Sequence, residues 1–175
     1  RCDYLGSGSG TGYNINIPLE NIKSSTTTGV PHGDSDYGYI FNELVLPIAD
    51  AFEPALILVP LGFDACIYDA TRVQGGYTLS TNAYKSMLSS LCTKQKSNGR
   101  LLCCLEGGYD PLGLAVNVDS VLDTLSSIDG CDSGTDTTST AMINVDLNMV
   151  QQSTIDVVAK VKETFQSKSC MWWSV

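Results

Sequence analysis

Two acidic side chains follow a short apolar run in the middle of this chain. The run, residues 56–59, ends at Pro60 and Gly62, and Asp64 and Asp69 come after it. Carboxylates are hard anionic ligands that suit a divalent cation. Each Asp can instead accept hydrogen bonds from backbone amides; from spacing alone this structural role is the favoured interpretation for both, and more strongly for Asp64. The pair therefore predicts either a metal site or a tightly capped turn.

A tyrosine follows a second apolar run. Residues 101–105 lead into Gly107, Gly108 and Tyr109. Two successive glycines let the backbone approach a ligand closely and adopt positive φ angles. A tyrosine hydroxyl at such a turn can donate a hydrogen bond to a developing oxyanion. It can equally lie in water while its ring packs on the surface, and the residues alone leave both interpretations open.

His32 is the only histidine of the chain, and this count limits the chemistry. It lies in a polar loop before a predicted helix, which favours a solvated side chain. A histidine-based zinc site or a Ser-His-Asp triad would depend on this one poorly placed residue. The residue pattern alone therefore favours neither.

Strands and helices in alternation must position these side chains. Residues 55–59 and 101–105 are typical of strands buried on both faces of a parallel sheet. A helix capped by Ser80 or Thr81 separates them, and an amphipathic helix follows at residues 112–125. This succession indicates parallel βαβ units, and hence an α/β fold with a parallel β-sheet flanked by helices.

Another helix is predicted before the first strand, with Asp34 or Ser35 as its N-cap. Apolar residues then recur at helical spacing through residue 48. Pro47 lies in the last turn of this pattern. It is expected to kink or end the helix unless a new turn starts there.

The overall composition is that of a globular chain. The 175 residues are 43% hydrophobic and 17% charged, with a net charge of −9. This acidity argues against direct nucleic-acid binding, and no apolar run reaches the ~18 residues of a membrane span.

The glycine-rich segment 6–12 lacks the spacing of a nucleotide-binding loop. The seven cysteines include no C-x-x-C pair, which favours reduced thiols inside the cell, with Cys103 and Cys104 buried.

A change of composition near residue 126 predicts three parts. Residues 1–128 hold most of the predicted strands and helices, 129–144 form a linker or surface loop, and 145–175 form a C-terminal helix and tail. The tail residues 171–173 are expected either to dock on an apolar surface or to be disordered. The start at Arg1 has neither an initiator Met nor a signal-peptide pattern, so the chain is expected to begin within a longer protein.

Several segments together resemble the C-terminal half of the catalytic domain of zinc-dependent histone deacetylases, in particular the class II branch (histone deacetylase 6-like). They follow the family order across roughly residues 10–128. The matching segments are Gly12-Tyr-Asn-Ile-Asn-Ile-Pro-Leu19, Gly33-Asp-Ser-Asp-Tyr37, Phe52-Glu-Pro54, Val59-Pro-Leu-Gly-Phe-Asp-Ala65 with Asp69, Gly75-Gly-Tyr77 and Leu105-Glu-Gly-Gly-Tyr109. The resemblance implies an arginase/deacetylase-like α/β fold, of whose eight-stranded parallel sheet this chain holds a part.

The resemblance also implies roles for the candidate residues. In the family, one zinc ion is held by Asp, His and Asp, and the second of those carboxylates falls on Asp69. The tyrosine that stabilises the tetrahedral oxyanion falls on Tyr109, and Gly107 and Gly108 would line the acyl-lysine channel. The implied cofactor is Zn²⁺, which polarises the amide carbonyl and activates water.

Other parts of the family pattern are absent or altered. The histidine pair that acts as general base and acid, and the Asp-x-His segment that supplies two zinc ligands, have no counterpart here. Residues 72–74 are an insertion at the rim of the implied channel, which leaves the substrate open. Asp64 and Gly62 are expected to have structural roles near the site.

Because half of the sheet is missing, a central strand is expected to become an edge strand. The isolated chain is therefore expected to aggregate.

These features predict that the chain is an incomplete part of a zinc-dependent protein lysine deacetylase. This part is expected to have no activity on its own. The complete protein would hydrolyse acetyl-lysine amides of histones or other proteins and regulate chromatin and transcription. The resemblance implies a corepressor complex as a further partner and a location in the nucleus and/or cytoplasm. Two alternatives stay open: a non-catalytic interaction or scaffold module derived from a deacetylase, and an acetylpolyamine-type small-amide deacetylase.

Overall fold

A computed structural model describes residues 1–20, 30–70, 76–92, 100–127 and 142–167. Within these ranges strands alternate with helices, as the sequence predicts for an α/β chain. Several predictions concern residues outside them. These are the insertion at 72–74, most of the loop at 129–144, and the docking or disorder of the tail at 171–173.

The first helix begins one residue earlier than its predicted cap allows. Strand β1, His32–Gly33, leads directly into α1, Asp34–Ile40, and Gly33 is the N-cap residue. The cause is the Asp36 side chain, which accepts a hydrogen bond of 2.9 Å from the Gly33 backbone amide. This bond satisfies one of the amides that a helix start leaves without an intrahelical partner.

The helix then continues past the proline by starting a new segment. One π-helical turn, Phe41–Val45, joins α1 to α2, Leu46–Phe52. Pro47 lies in the first turn of α2, where its missing N–H breaks no intrahelical bond. The sequence left a kink, an end or a new turn open at Pro47. The backbone stays helical on both sides of it, so the helix does not end near Leu46.

The two predicted strands are present and parallel. Strand β2, Ile57–Gly62, pairs with β4, Leu101–Gly107, in a register that places Ile57 beside Leu101, with an irregularity between Leu61 and Gly62. The short β1 pairs in parallel with β3, Tyr77–Thr78. In the described part of the chain these form two separate two-stranded sheets.

Burial of the longer sheet differs from the prediction. Side chains on one face of β2 and β4, including Leu61 and Cys103, pack against helices. On the other face Leu58 and Leu102 are exposed. Cys104, predicted to be buried, is also exposed, and Cys103 is only half-buried. The prediction of strands covered on both faces was wrong because the described residues place helices on one side only.

Two apolar clusters hold the elements together. The first lies between the sheet, α3 (Thr81–Cys92) and α4 (Pro111–Ser126), and contains Phe63, Leu79 and Tyr84. Ser80 caps α3, as predicted, by accepting a bond of 3.3 Å from the Ala83 amide. Part of the predicted apolar face of α4 stays uncovered, since Leu112, Val116 and Leu122 are exposed.

The second cluster joins both ends of the chain. Helix α5, Gln152–Ser167, contributes Val158, Val161 and Phe165, which pack against Cys2, Leu5, Ile40 and Leu44. The predicted C-terminal helix is therefore present and forms part of a core. Among the described helices, none has an apolar stretch of the length that a bilayer span requires.

Candidate functional site

The carboxylate of Asp69 lies where the ends of β2 and β4 meet. Asp69 is 2% exposed, and its backbone amide donates a hydrogen bond to the Cys66 carbonyl in the turn that follows β2. Its Oδ2 accepts hydrogen bonds from the backbone amides of Tyr109 (2.5 Å) and Asp110 (3.1 Å). These amides precede α4, where the positive end of a helix dipole favours an anion. Asp69 therefore fixes the position of the loop that carries Tyr109.

The Tyr109 side chain points into solvent from this fixed loop. Tyr109 is 70% exposed, so its hydroxyl can contact a molecule outside the described residues. The backbone at Gly108 has φ +107, and a Cβ there would lie 2.9 Å from the Phe63 Cβ. A residue with a side chain would be strained in both respects. The glycine lets the loop close over Phe63 and present the tyrosine outward.

Asp64 lies beside two glycines that leave room for its carboxylate. A Cβ on Gly62 would lie 3.1 Å from the Asp64 Oδ1, and a Cβ on Gly107 would lie 3.3 Å from its Cγ. The three residues therefore pack closely at the carboxyl ends of the two strands. This contact is compatible with the structural role expected of Asp64 and Gly62, while the channel-lining role of Gly107 and Gly108 stays a prediction.

Two supporting residues were not singled out from the sequence. Asp110 is the N-cap of α4, and its Oδ1 accepts a bond of 2.7 Å from the Gly113 amide. Asn117 is fully buried and donates to the Cys66 sulfur (3.0 Å) and the Gly113 carbonyl (2.7 Å). The Asp-Pro pair at the start of α4 is a cap signature that could have identified Asp110. No local pattern identifies Asn117, because its partner Cys66 is distant in sequence.

A cavity beside the end of β2 is lined by two tyrosines. Tyr37 and Tyr84 line it together with Asp64. Burial raises the pKa of both phenols well above their usual range, so both are neutral at physiological pH. The Tyr84 ring packs edge-on against Phe63 at 5.1 Å, and its hydroxyl has no hydrogen-bond partner among the described residues. Tyr84 therefore supports the Tyr109 loop through Phe63, the residue against which Gly108 packs.

His32 is buried, contrary to the predicted solvated position. It is 0% exposed, and its Nε2 lies 3.1 Å from the Glu20 carbonyl oxygen. Its Nδ1 lies 3.3 Å from the Thr154 Oγ1 and 4.0 Å from the Asp36 Oδ1. The prediction failed because residues 151–154, more than a hundred positions away, close over the loop.

Asp36 is the acceptor at the centre of this buried polar cluster. It receives hydrogen bonds from the Gly33 amide, the Gln151 amide (2.9 Å) and the Thr154 hydroxyl (2.7 Å). Burial by itself would raise the pKa of Asp36, but the neighbouring His32 and these hydrogen bonds outweigh it and lower the pKa to about 2. The cluster is a charged structural link between α1 and the start of α5.

The described residues do not by themselves fit a zinc ion. They contain no group of three or more His, Cys, Asp or Glu side chains that could hold a metal. Zinc in proteins takes at least three protein ligands in a roughly tetrahedral arrangement. Of the two aspartates offered as metal ligands, Asp69 is the one to which the family resemblance assigns zinc, and its Oδ2 already accepts two backbone hydrogen bonds. A complete zinc site would need ligands from outside these residues.

Comparison with protein families gives one domain match. The family described as "Histone deacetylase domain" matches residues 1–125. Among named relatives, Histone deacetylase 6 of Caenorhabditis elegans is 37% identical over 123 residues, which are 70% of this chain and 12% of that protein. Histone deacetylase 15 of Arabidopsis thaliana is 35% identical over 127 residues, which are 70% of this chain and 20% of that protein. The chain thus spans a small part of the curated relatives it matches.

Solved structures of the same group have a similar fold. The histone deacetylase Clr3 superposes with a TM-score of 0.73 and 25% identity, over 97% of this chain and 25% of the other. The HDA15 HD domain superposes with a TM-score of 0.73 and 24% identity, over 96% and 40%. The predicted α/β architecture of parallel strands flanked by helices is therefore confirmed.

Proposed function

This chain belongs to the histone deacetylase domain family, and on that premise we propose that it is one part of a zinc-dependent protein lysine deacetylase. The proposed substrates of the complete protein are acetylated lysine side chains of histones or other proteins. A role in chromatin and transcription regulation, within a corepressor complex and in the nucleus and/or cytoplasm, belongs to the same proposal.

The hydrogen bond between the Asp69 carboxylate and the Tyr109 amide carries this proposal. It joins the two residues to which the family resemblance assigns chemistry, at the carboxyl ends of neighbouring parallel strands. That edge is where ligands bind in open α/β sheets. The buried carboxylate after β2 therefore fixes the loop after β4, and the exposed phenol of that loop can contact a substrate.

The proposed roles follow from the surroundings of each group. The Tyr109 hydroxyl would donate a hydrogen bond to the acetyl oxygen as the amide carbon becomes tetrahedral, which stabilises the developing negative charge. Asp69 would contribute one carboxylate to a zinc site and hold the Tyr109 backbone. The remaining ligands would come from outside the described residues.

We propose that the chain alone does not catalyse the reaction, because a single carboxylate is a poor zinc site. The test is turnover of an acetyl-lysine peptide by the isolated chain, with and without added zinc. A complete deacetylase domain under the same conditions is the positive control. Zinc-dependent turnover by the isolated chain, abolished by Tyr109→Phe, would show that the missing ligands have been mis-assigned.

A second candidate is a non-catalytic interaction module derived from a deacetylase. The exposed apolar face around Leu58 and Leu102 favours it, since such patches mark contact surfaces. The two candidates differ in one measurement. A complete parent protein that binds partners but does not deacetylate peptides, with or without zinc, would support the module and exclude the enzyme.

A further inference from the structure

Asn117 is a fully buried polar residue that the proposed reaction does not use. It lies in the second turn of α4. Its side-chain amide donates to the Cys66 sulfur at 3.0 Å and to the Gly113 carbonyl oxygen at 2.7 Å. The first acceptor belongs to the turn after β2, and the second belongs to α4 itself. One side chain therefore joins the helix that follows the Tyr109 loop to the turn that carries Asp69.

The contact between this turn and α4 depends on the absence of a side chain at Gly113. A Cβ on Gly113 would lie 3.0 Å from the Tyr68 Cβ, which is tighter than ordinary contacts between such atoms. Residues four apart share one face of a helix, so Asn117 faces the same turn one helical turn later. The close approach at Gly113 brings the Cys66 sulfur within reach of the Asn117 amide.

Hydrogen bonds continue from Cys66 to the loop after β4. The Cys66 carbonyl oxygen accepts from the Asp69 amide at 3.0 Å, and the Asp69 Oδ2 accepts from the Tyr109 amide. Cys66 itself is fully buried and belongs to the first apolar cluster. A displacement of the Cys66 side chain therefore moves the Asp69 carboxylate, and with it the loop that presents the phenol.

Stability alone would not favour asparagine at position 117. The Asn117 Oδ1 has no hydrogen-bond partner among the described residues, and a buried acceptor without a partner costs free energy. A leucine of similar size would fill the same space without burying a polar atom. The asparagine therefore has a cost in stability, and in return it makes a directional bond to Cys66 that a leucine cannot make.

We propose that Asn117 is a positioning residue for the pair formed by Asp69 and Tyr109. By binding the Cys66 sulfur, it holds the turn after β2 at a fixed distance from α4. This distance sets where the Tyr109 hydroxyl meets a substrate. The inference deepens the proposed function and rests on it for the role of Tyr109, while the placement of the loop can be measured without any reaction.

Hydrogen exchange of single backbone amides, measured by NMR on the soluble full chain, tests this placement. The Tyr109 amide reports local opening of the loop, and the Val161 amide in the buried part of α5 reports global opening. Asn117→Leu should accelerate exchange at Tyr109 by about fivefold to tenfold, as expected for one lost hydrogen bond, and exchange at Val161 by less than about twofold. A residue that only stabilises the fold would change both amides by the same factor.

Thr124→Val is the matched control in the same helix. Thr124 is also buried, and its hydroxyl donates at 2.8 Å to the carbonyl oxygen of Ser120, four residues earlier. Asn117 makes the corresponding bond to Gly113. Within the described part of the chain, Thr124 makes no hydrogen bond to the turn after β2. The control should therefore leave exchange at Tyr109 within about twofold.

Cys66→Ala removes the other partner of the same bond, and it keeps the test available if Asn117→Leu does not fold. This variant should accelerate exchange at Tyr109 to a similar extent. Because the two substitutions remove one shared bond, the double variant should exchange no more than about twofold faster than either single variant. Circular dichroism verifies that each variant folds.

Turnover separates this inference from the proposed function. In a catalytic domain completed with the missing part, Asn117→Leu should lower kcat on an acetyl-lysine peptide by about tenfold and leave KM within about twofold, because a displaced phenol acts on the transition state. A completed domain without any turnover contradicts the proposed enzyme, and hydrogen exchange still decides the placement.

Four results would overturn the inference. They are unchanged exchange at Tyr109 in Asn117→Leu, equal acceleration at Tyr109 and Val161, additive effects of the Asn117 and Cys66 substitutions, and an unchanged kcat in an active domain. The second would reduce Asn117 to a contributor to global stability. The third would show that the bond to Cys66 does not carry the effect.

Discussion

The carboxylate of Asp69 accepts a hydrogen bond from the backbone amide of Tyr109, 40 residues further along the chain. The bond connects the turn after β2 with the loop after β4. The buried Asp69 carboxylate therefore fixes the position of the exposed Tyr109 side chain. The proposed chemistry depends on this connection. Its energetic contribution can be measured by unfolding of soluble protein, independently of activity.

Replacing Asp69 by Ala should destabilise the fold by about 2 to 3 kcal/mol, because two amides at the start of α4 lose a charged acceptor in a buried place. Urea unfolding measures the change. Asp119→Asn, at an exposed position of α4, is the control and should stay within about 0.5 kcal/mol. An equal effect of both substitutions would show that Asp69 does not hold the loop.

Replacing Tyr109 by Phe should leave stability within about 0.5 kcal/mol, because the residue is mostly exposed. In a catalytic domain completed with the missing part, the same change should lower kcat by about 100-fold through loss of the hydrogen bond to the oxyanion. Tyr4→Phe, at a similarly exposed position, should change neither quantity. Full activity of the Tyr109 variant would remove the phenol from the mechanism.

Replacing Gly108 by Ala should destabilise the fold by about 1 to 3 kcal/mol, because the backbone has φ +107 and the added Cβ would press on the Phe63 Cβ. Thermal unfolding measures the loss. The matched control is Gly10→Ala, where an added Cβ would meet no atom within 4 Å. A stable Gly108 variant would mean that the loop can relax away from Phe63.

The free energy of unfolding should fall in acid because the Asp36 carboxylate becomes protonated. Its pKa is about 2 in the folded chain, below the unfolded value near 3.8, so the stabilisation is complete above about pH 4 and is lost as the pH falls through 2. The loss corresponds to about 2 kcal/mol. Urea midpoints between pH 5 and pH 2 measure it. Asp36→Asn should flatten the curve in this window, and an unchanged slope would exclude Asp36 as its source.

Removing residues 145–175 should prevent cooperative folding of the rest. The deletion takes Val158, Val161 and Phe165 out of the second apolar cluster and removes the Gln151 and Thr154 donors from Asp36. Burial of each such side chain contributes about 1.5 to 3 kcal/mol, which together approaches the whole stability of a small domain. The control ends at residue 167 and should fold. A monomeric 1–144 fragment with a sharp thermal transition would contradict this expectation.

The sequence by itself determined the features that depend on near neighbours. The two strands, the Ser80 cap and the glycine turn before Tyr109 all follow from local residue types, whose backbone preferences act over a few positions. The aspartates and the tyrosine could be singled out because they follow strand ends. Their assigned catalytic and metal-binding roles stay predictions.

Only the tertiary structure decided what surrounds these side chains. His32 is buried because Thr154 closes over it from 122 positions away, and no periodicity in residues 30–36 encodes that partner. Leu58 and Cys104 have the same apolar neighbours that predict a covered strand, yet they are exposed because the described helices pack on the opposite face. Burial is a property of what folds against a segment, and that partner lies elsewhere in the chain or outside it.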